Sequence, residues 1–178
     1  RSDLEKFGDR GVLVSFALFT FASLYLLYLF LTHDFSNLYV ATHSNRSLPL
    51  AYLISAFWAG QEGSLLFWGW LISLTTLIVV RPSTAIDMFK PYVASILVIL
   101  QLFFIVTMIF ASNPFENLGF TPADGQGLNP LLQDPGMVWH PPTLFVGYAF
   151  IAVPFAYAMA GLIKKDEDWL KHVRTWTL

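Results

Sequence analysis

Long runs in which almost every position is apolar alternate with shorter stretches dense in charge, glycine and proline. Residues 11–32, 92–111 and 143–163 contain no charged side chain, and residues 64–80 form a fourth, shorter run of the same kind. A bilayer core roughly 30 Å thick takes about 20 apolar residues at a helical rise near 1.5 Å per residue. The four runs are therefore predicted to be membrane-crossing helices, the second of them extended into the residues before it. Residues 50–59 are apolar but too short to cross, which predicts an interfacial or re-entrant helix leading into the second span. Pro154 lies inside the fourth run and predicts a kink there. The expected fold is an all-α polytopic transmembrane bundle, with residues 1–178 as a single transmembrane domain and two ordered loops, 33–63 and 112–142, at one face.

Composition supports this reading. The chain is 56% hydrophobic and only 12% charged, with a mean hydropathy of +0.58, values that exclude an ordinary soluble domain. Lys and Arg orient the array. Residues 1–10, 81–91 and 164–174 hold nine of the ten, and the two alternate loops hold only Arg46. An excess of basic residues marks the inner face, so loops 33–63 and 112–142 are expected outside. The net charge of -2 gives no basic field for nucleic acid. With no cysteine, disulfide, thiolate-metal and redox-pair chemistry are excluded within the chain. The first run is too long for a signal-peptide core and lacks a small-residue cleavage pattern, so it is expected to be retained. The missing initiator Met and the lack of a terminal signal lead to the expectation of a fragment of a longer polypeptide.

Loop 112–142 holds six of the ten prolines and four of the eleven glycines. A connection of that length without its own structure is usually functional or disordered. Here Leu128, Leu131, Leu132, Met137, Val138 and Trp139 supply apolar residues for docking, so a rigid loop on the membrane surface is expected. No fixed-period repeat is visible.

The strongest candidate chemistry lies at the end of that loop, in Asp134-Pro135-Gly136-Met137-Val138-Trp139-His140-Pro141-Pro142. Pro141 biases His140 to an extended backbone, and Pro142 suits the first turn of a following helix. His140 is thus expected at the mouth of the fourth span. Two readings fit it: an imidazole offered to a metal beside the indole of Trp139, or a helix cap or headgroup anchor. Glu62, in the first turn of the second span, is read either as a carboxylate favoured by the free amides of a helix start or as a proton acceptor. Arg46 suits a carboxylate or a lipid phosphate. His33 and His43 share the outer loop without a ligand motif, and His172 is expected to be solvated beside Lys171 and Arg174. Trp58, Trp68, Trp70 and Trp139 fit both an interfacial belt and a cofactor platform.

Residues 128–135, reading Leu-Asn-Pro-Leu-Leu-Gln-Asp-Pro, continue through His140-Pro141-Pro142 to Gly147-Tyr148. This block resembles the signature loop of the CcmF haem lyases and their NrfE paralogues. A second block agrees: Tyr39-Val40-Ala41, Ser44-Asn45, Leu48-Pro49 and residues 56–68 resemble the family's segment entering the corresponding helix. The resemblance implies that His140 is one of a pair of outer-face axial ligands to haem, presented beside a tryptophan-rich WWD loop. The partner histidine, that loop and the ligands of a second, membrane-embedded haem lie downstream in the family. Trp68-Gly69-Trp70 is not the WWD element, since it lacks the acidic end. Gln61 stands where relatives often have histidine, so a role for that histidine does not transfer, whereas Glu62 is retained.

The function so implied is cytochrome c maturation: haem b held at the outer face for thioether attachment to apocytochrome c. Read from the residues, Trp139 could cover the porphyrin, Arg46 pair with a propionate or a lipid phosphate, and Glu62 stand near the cofactor or serve only the helix start. The chain by itself is expected to be an incomplete lyase. Implied partners are a haem chaperone, apocytochrome c, other maturation subunits and the bilayer, in the bacterial or mitochondrial inner membrane. The rivals are a membrane scaffold that binds no haem, and a transporter, for which Gln101 and Pro154 are the available polar or broken positions.

Overall fold

The computed structural model describes residues 3–81 and 88–177. Residues 1–2, 82–87 and 178, which belong to stretches assigned to the inner face, lie outside the described residues. In chain order the helices are α1 (Asp3–Leu31), α2 (Leu38–His43), α3 (Leu50–Ser55), α4 (Gln61–Val80), α5 (Lys90–Phe110), α6 (Pro135–Lys164) and α7 (Trp169–Thr177), with single 3-10 turns at Ala56–Trp58 and Pro130–Leu132. Four of them, α1 over Gly8–Leu31, α4, α5 and α6, are long and apolar enough to cross a membrane. Among the described residues the only extended pairing is an isolated antiparallel bridge between Asn37 and Asn117. The fold is an all-α transmembrane bundle.

Local chemistry sets the helix ends. Helix α4 starts after Gly60 with Glu62 in its first turn, where free amides favour an anion. It ends at Arg81, whose extended backbone (ψ 143°) is what a residue preceding proline adopts. Pro91 sits in the first turn of α5, where no amide bond is lost. Lys165 takes the left-handed conformation (φ 54°) and its amide closes α6 on the carbonyls of Gly161 and Leu162, as in other left-handed helix caps.

Helix α4 is the axis of the bundle, packing on α1, α5 and α6. Ala149, Ala152, Ala156 and Ala160 are buried along one face of α6; side chains this small let membrane helices approach closely. The opposite faces remain apolar and exposed, as at Phe21 and Leu24 of α1, Ile99 and Phe103 of α5, and Ile151 and Leu162 of α6. Those faces suit lipid.

One polar network ties three spans together. Gln101 of α5 is 1% exposed; its Oε1 accepts from Ser15 Oγ of α1 at 2.6 Å and its Nε2 donates to Thr76 Oγ1 of α4 at 2.9 Å. The Thr76 hydroxyl in turn donates a hydrogen bond to the Ile72 carbonyl at 2.7 Å. Gln101 is thus bonded to a neighbouring span at each end of its amide, which is the behaviour of interhelical glue.

Helix α7 corrects one expectation. It folds back along α6 with Trp169 against Gly161, where a Cβ would stand 2.2 Å from Trp169 Cδ1. His172 is therefore half-buried, its ring parallel to that of Tyr157 at 6.1 Å and edge-on to Phe89 at 5.5 Å, and not solvated. The amphipathic spacing of Trp169, Val173 and Trp176 turns His172 toward the bundle together with the apolar residues.

Replacing Gln101 with leucine should leave insertion intact and lower stability by about 1 kcal/mol, read as a fall of roughly 2–4 °C in the unfolding midpoint in detergent. An unchanged midpoint would show that the network adds nothing to the packing around it.

Candidate functional site at the loop end of the bundle

The two long loops meet at one end of the bundle and are held by backbone bonds. The Leu38 amide donates to the Glu116 carbonyl at 2.8 Å, Leu118 to Ser36 at 2.9 Å, Gln126 to Ala41 at 2.7 Å and Gly127 to Ser44 at 3.1 Å. Asn37 joins both loops: its Oδ1 caps α2 by accepting from the Val40 amide at 2.9 Å, and its Nδ2 donates to the Pro114 carbonyl at 3.0 Å. Gly125 lies so close that a Cβ would be 2.0 Å from the Ser44 carbonyl oxygen. Only glycine fits there without a backbone shift.

Arg46 belongs to this clasp. Its amide donates to Asp124 Oδ1 at 2.9 Å, its Nε donates to the Ala123 carbonyl at 3.3 Å, and its guanidinium carbon stands 5.4 Å over the Phe35 ring. The amide of Arg46, together with that of Gly125, holds the Asp124 carboxyl below the ordinary aspartate value.

Tyr39 organises the entry to α4. Its phenol accepts from the Gly60 amide at 2.9 Å and donates between the carbonyls of Ala56 and Phe57, each at 3.1 Å. Burial pushes the phenol pKa up, and the charge of half-buried Glu62 pushes it further in the same direction. The Tyr39 hydroxyl therefore stays protonated and acts as a fastener. His43 packs on it with ring centroids 4.4 Å apart, its Nδ1 lying 3.0 Å from the Tyr39 carbonyl oxygen and 2.9 Å from Thr42 Oγ1. His33 stands in the left-handed region (φ 52°), its ring 5.9 Å from Phe35 and its Nδ1 buried without a hydrogen-bond partner.

The segment carrying His140 differs from the sequence expectation. Instead of an extended residue before a helix starting at Pro142, His140 lies in the second turn of α6, which starts at Pro135. Residues 135–142, assigned to the loop, are helical. Asp134 decides this: it is the N-cap, its Oδ1 accepting from the Gly136 amide at 2.7 Å, and Pro135 supplies the first helical position. That start outweighs the bias that Pro141 places on the residue before it. Trp139 is 73% exposed. His140 is exposed as well, and neither ring makes a hydrogen bond or ring contact among the described residues. One turn earlier, the Met137 carbonyl accepts from Trp58 Nε1 at 3.4 Å, joining the His140 segment to the 3-10 turn that precedes α4.

Residues 58–178 match the model of the cytochrome C assembly protein family. The chain belongs to that family. Its relatives include the cytochrome c-type biogenesis protein CcmF of Haemophilus influenzae, 40% identical over 167 residues, covering 92% of this chain and 26% of that protein. CcmF of Escherichia coli K12 is 39% identical over 185 residues, covering 96% and 28%, and NrfE of Haemophilus influenzae is 40% identical over 167 residues, covering 92% and 26%. The solved structure of a cytochrome c haem lyase CcmF superimposes with a TM-score of 0.81 at 30% identity, covering 99% of this chain and 28% of that one. The chain thus spans about a quarter of the length of these assembly proteins.

Of the residues singled out in the sequence, Trp139 and His140 stand together on α6, Arg46 sits in the clasp between the loops, and Glu62 opens α4 beside Tyr39. Sequence reasoning missed Tyr39 as the fastener of the α4 entry and Trp58 as the contact to α6. Asp124 yields a test of the clasp. Because its folded value is depressed, the stability it contributes is present above the ordinary 3.8 and is lost as pH falls through the lower folded value. Hydrogen-exchange protection of the Arg46 and Gly125 amides should be full at neutral pH and decline only in acid. Equal protection in an Asp124→Ala variant would remove the carboxylate from the account.

Proposed function

We propose that this chain is the part of a cytochrome c maturation protein that holds haem at the outer membrane face, with the His140 imidazole as an axial ligand and the Trp139 indole against the porphyrin. The observation that carries the reading is a contrast among the four histidines. The rings of His33, His43 and His172 pack on Phe35, Tyr39 and Tyr157, and the unpartnered Nδ1 of His33 is buried. The His140 ring is exposed and uncommitted, as a nitrogen donor awaiting a metal should be. The residues present therefore fit haem.

Haem would bring the vinyl groups that thiols of apocytochrome c attack, and the cysteine-free chain leaves those thiols to the partner. The contribution of this chain is to fix and orient. A helix-borne imidazole sets position, an adjacent indole covers an apolar face, and the docked loops brace the ground beneath them. The second axial ligand and the tryptophan-rich loop come from the rest of the assembly protein, as the family resemblance implies. Arg46, exposed at its guanidinium end, suits a haem propionate in addition to its bond with Ala123. Glu62 stays close to Tyr39 as a proton acceptor on the same side. The clustering of Lys and Arg supports placing the loops outside, on the periplasmic side of a bacterial inner membrane or the equivalent side in a mitochondrion. A haem chaperone, apocytochrome c and other maturation subunits are the partners that such a site requires.

Replacing His140 with alanine in the full-length protein should abolish assembly of c-type cytochromes while membrane levels stay normal, with added imidazole restoring part of the haem bound. Normal assembly in that variant would remove the ligand. Arg46→Gln should lower haem retention modestly; unchanged haem content would leave Arg46 to the clasp alone.

A further inference from the structure

The two prolines after His140 have a consequence for the backbone before it. In an α-helix the amide of each residue donates to the carbonyl four positions earlier. Pro141 and Pro142 have no amide proton, so the carbonyls of Met137 and Val138 lose their helical donors, and the proline rings push those carbonyls outward. A carbonyl left this way at the edge of a membrane needs another donor. For Met137 that donor is present: Trp58 Nε1 lies 3.4 Å from its oxygen. Trp58 is itself fixed by the rings of Phe57 at 6.3 Å and Phe67 at 5.8 Å, and the turn that carries it is fastened by the Tyr39 phenol on the carbonyls of Ala56 and Phe57.

We propose that Trp58 is a positioning residue for the haem-ligating histidine: its indole N–H takes the Met137 carbonyl that Pro141 releases and thereby fixes the turn of α6 that presents His140. The inference rests on the ligand role of His140. It gives the paired prolines a task beyond rigidity, since they open the helix to a donor from outside at the turn before the imidazole. Met137 and His140 are three residues apart and lie on neighbouring positions of one helical face. A rotation of that turn about the α6 axis therefore moves the ring.

The test uses the full-length protein in detergent, titrated with haemin, with the His140→Ala spectrum subtracted so that only haem dependent on His140 is read. Trp58→Phe keeps the aromatic packing and removes the donor. It should weaken haemin binding roughly three- to tenfold, the range for one hydrogen bond, and shift the Soret band and midpoint potential of the haem, with protein yield unchanged. Pro141→Ala returns an amide to the Met137 carbonyl and should act in the same direction. Adding Trp58→Phe to it should then cost little more, because both changes remove one interaction. If Trp58→Phe lowers the yield, the Pro141→Ala protein carries the measurement. A His140→Ala protein with an unaltered spectrum would bring down the ligand reading itself. A spectrum that depends on His140 but is indifferent to Trp58→Phe, or strictly additive effects of the two substitutions, would overturn the positioning role alone.

Discussion

Every backbone amide and carbonyl withdrawn from water must find a partner, and inside a bilayer no water can stand in for one. This constraint shapes the chain at three scales. Within the spans the helical ladder satisfies the backbone except where Pro154 withdraws a donor inside α6, and the buried amide side chain of Gln101 is met by Ser15 and Thr76. At the loop end, where the backbone is irregular, the two loops satisfy each other through paired amides and carbonyls, with Asn37 acting as both helix cap and bridge. At the start of α6, where prolines withdraw two donors, a tryptophan from another element answers one of the vacated carbonyls.

The beginning of α6 shows how competing local rules are resolved. A proline inside a helix costs about 3 kcal/mol, and two in succession favour a start after them. Against this stand an aspartate cap, a proline at the first helical position and a partner for one released carbonyl. Together these keep residues 135–142 helical. The outcome places the His140 imidazole on a helix and not on a connecting strand of loop. Ligands borne on regular elements are held with less freedom than ligands on loops.

What the sequence discloses follows the range of the interaction concerned. Span length and apolarity are local, so the four crossing helices are legible, as is the short helix before α4. The docking of the loops is not. It depends on pairs such as Asn37 with Asn117 and Ala41 with Gln126, which no periodicity marks. The same limit applies to the site. His140 and Trp139 stand out by their motif, and Arg46 by being the lone basic residue on its face, but its partners Ala123 and Asp124 belong to the other loop. His172 was misread because charged neighbours dominate its surroundings in sequence, while the helical spacing of Trp169, Val173 and Trp176 dominates them in space. For Trp58 a signal was present: Pro141 announces that Met137 requires a donor, without saying which residue will provide it.

Helix α6 has 30 residues, about 45 Å at the helical rise, against roughly 30 Å of bilayer core. The surplus must project beyond the membrane. The charge-free run 143–163 and the lysines that follow it assign that surplus to the first turns, those of Trp139 and His140. The height of the imidazole is set by its place three residues before the charge-free run, about 4.5 Å along the helix axis, and the direction it faces by the rotation of the first turns. The cap at Asp134 keeps the first turns helical and the bond from Trp58 to the Met137 carbonyl joins them to the turn before α4, so height and facing have separate determinants in this chain. Loss of the cap would fray the turns before His140 without displacing it along the helix axis, whereas, on the positioning role proposed for Trp58, loss of that indole would free the turn that carries the ring to rotate.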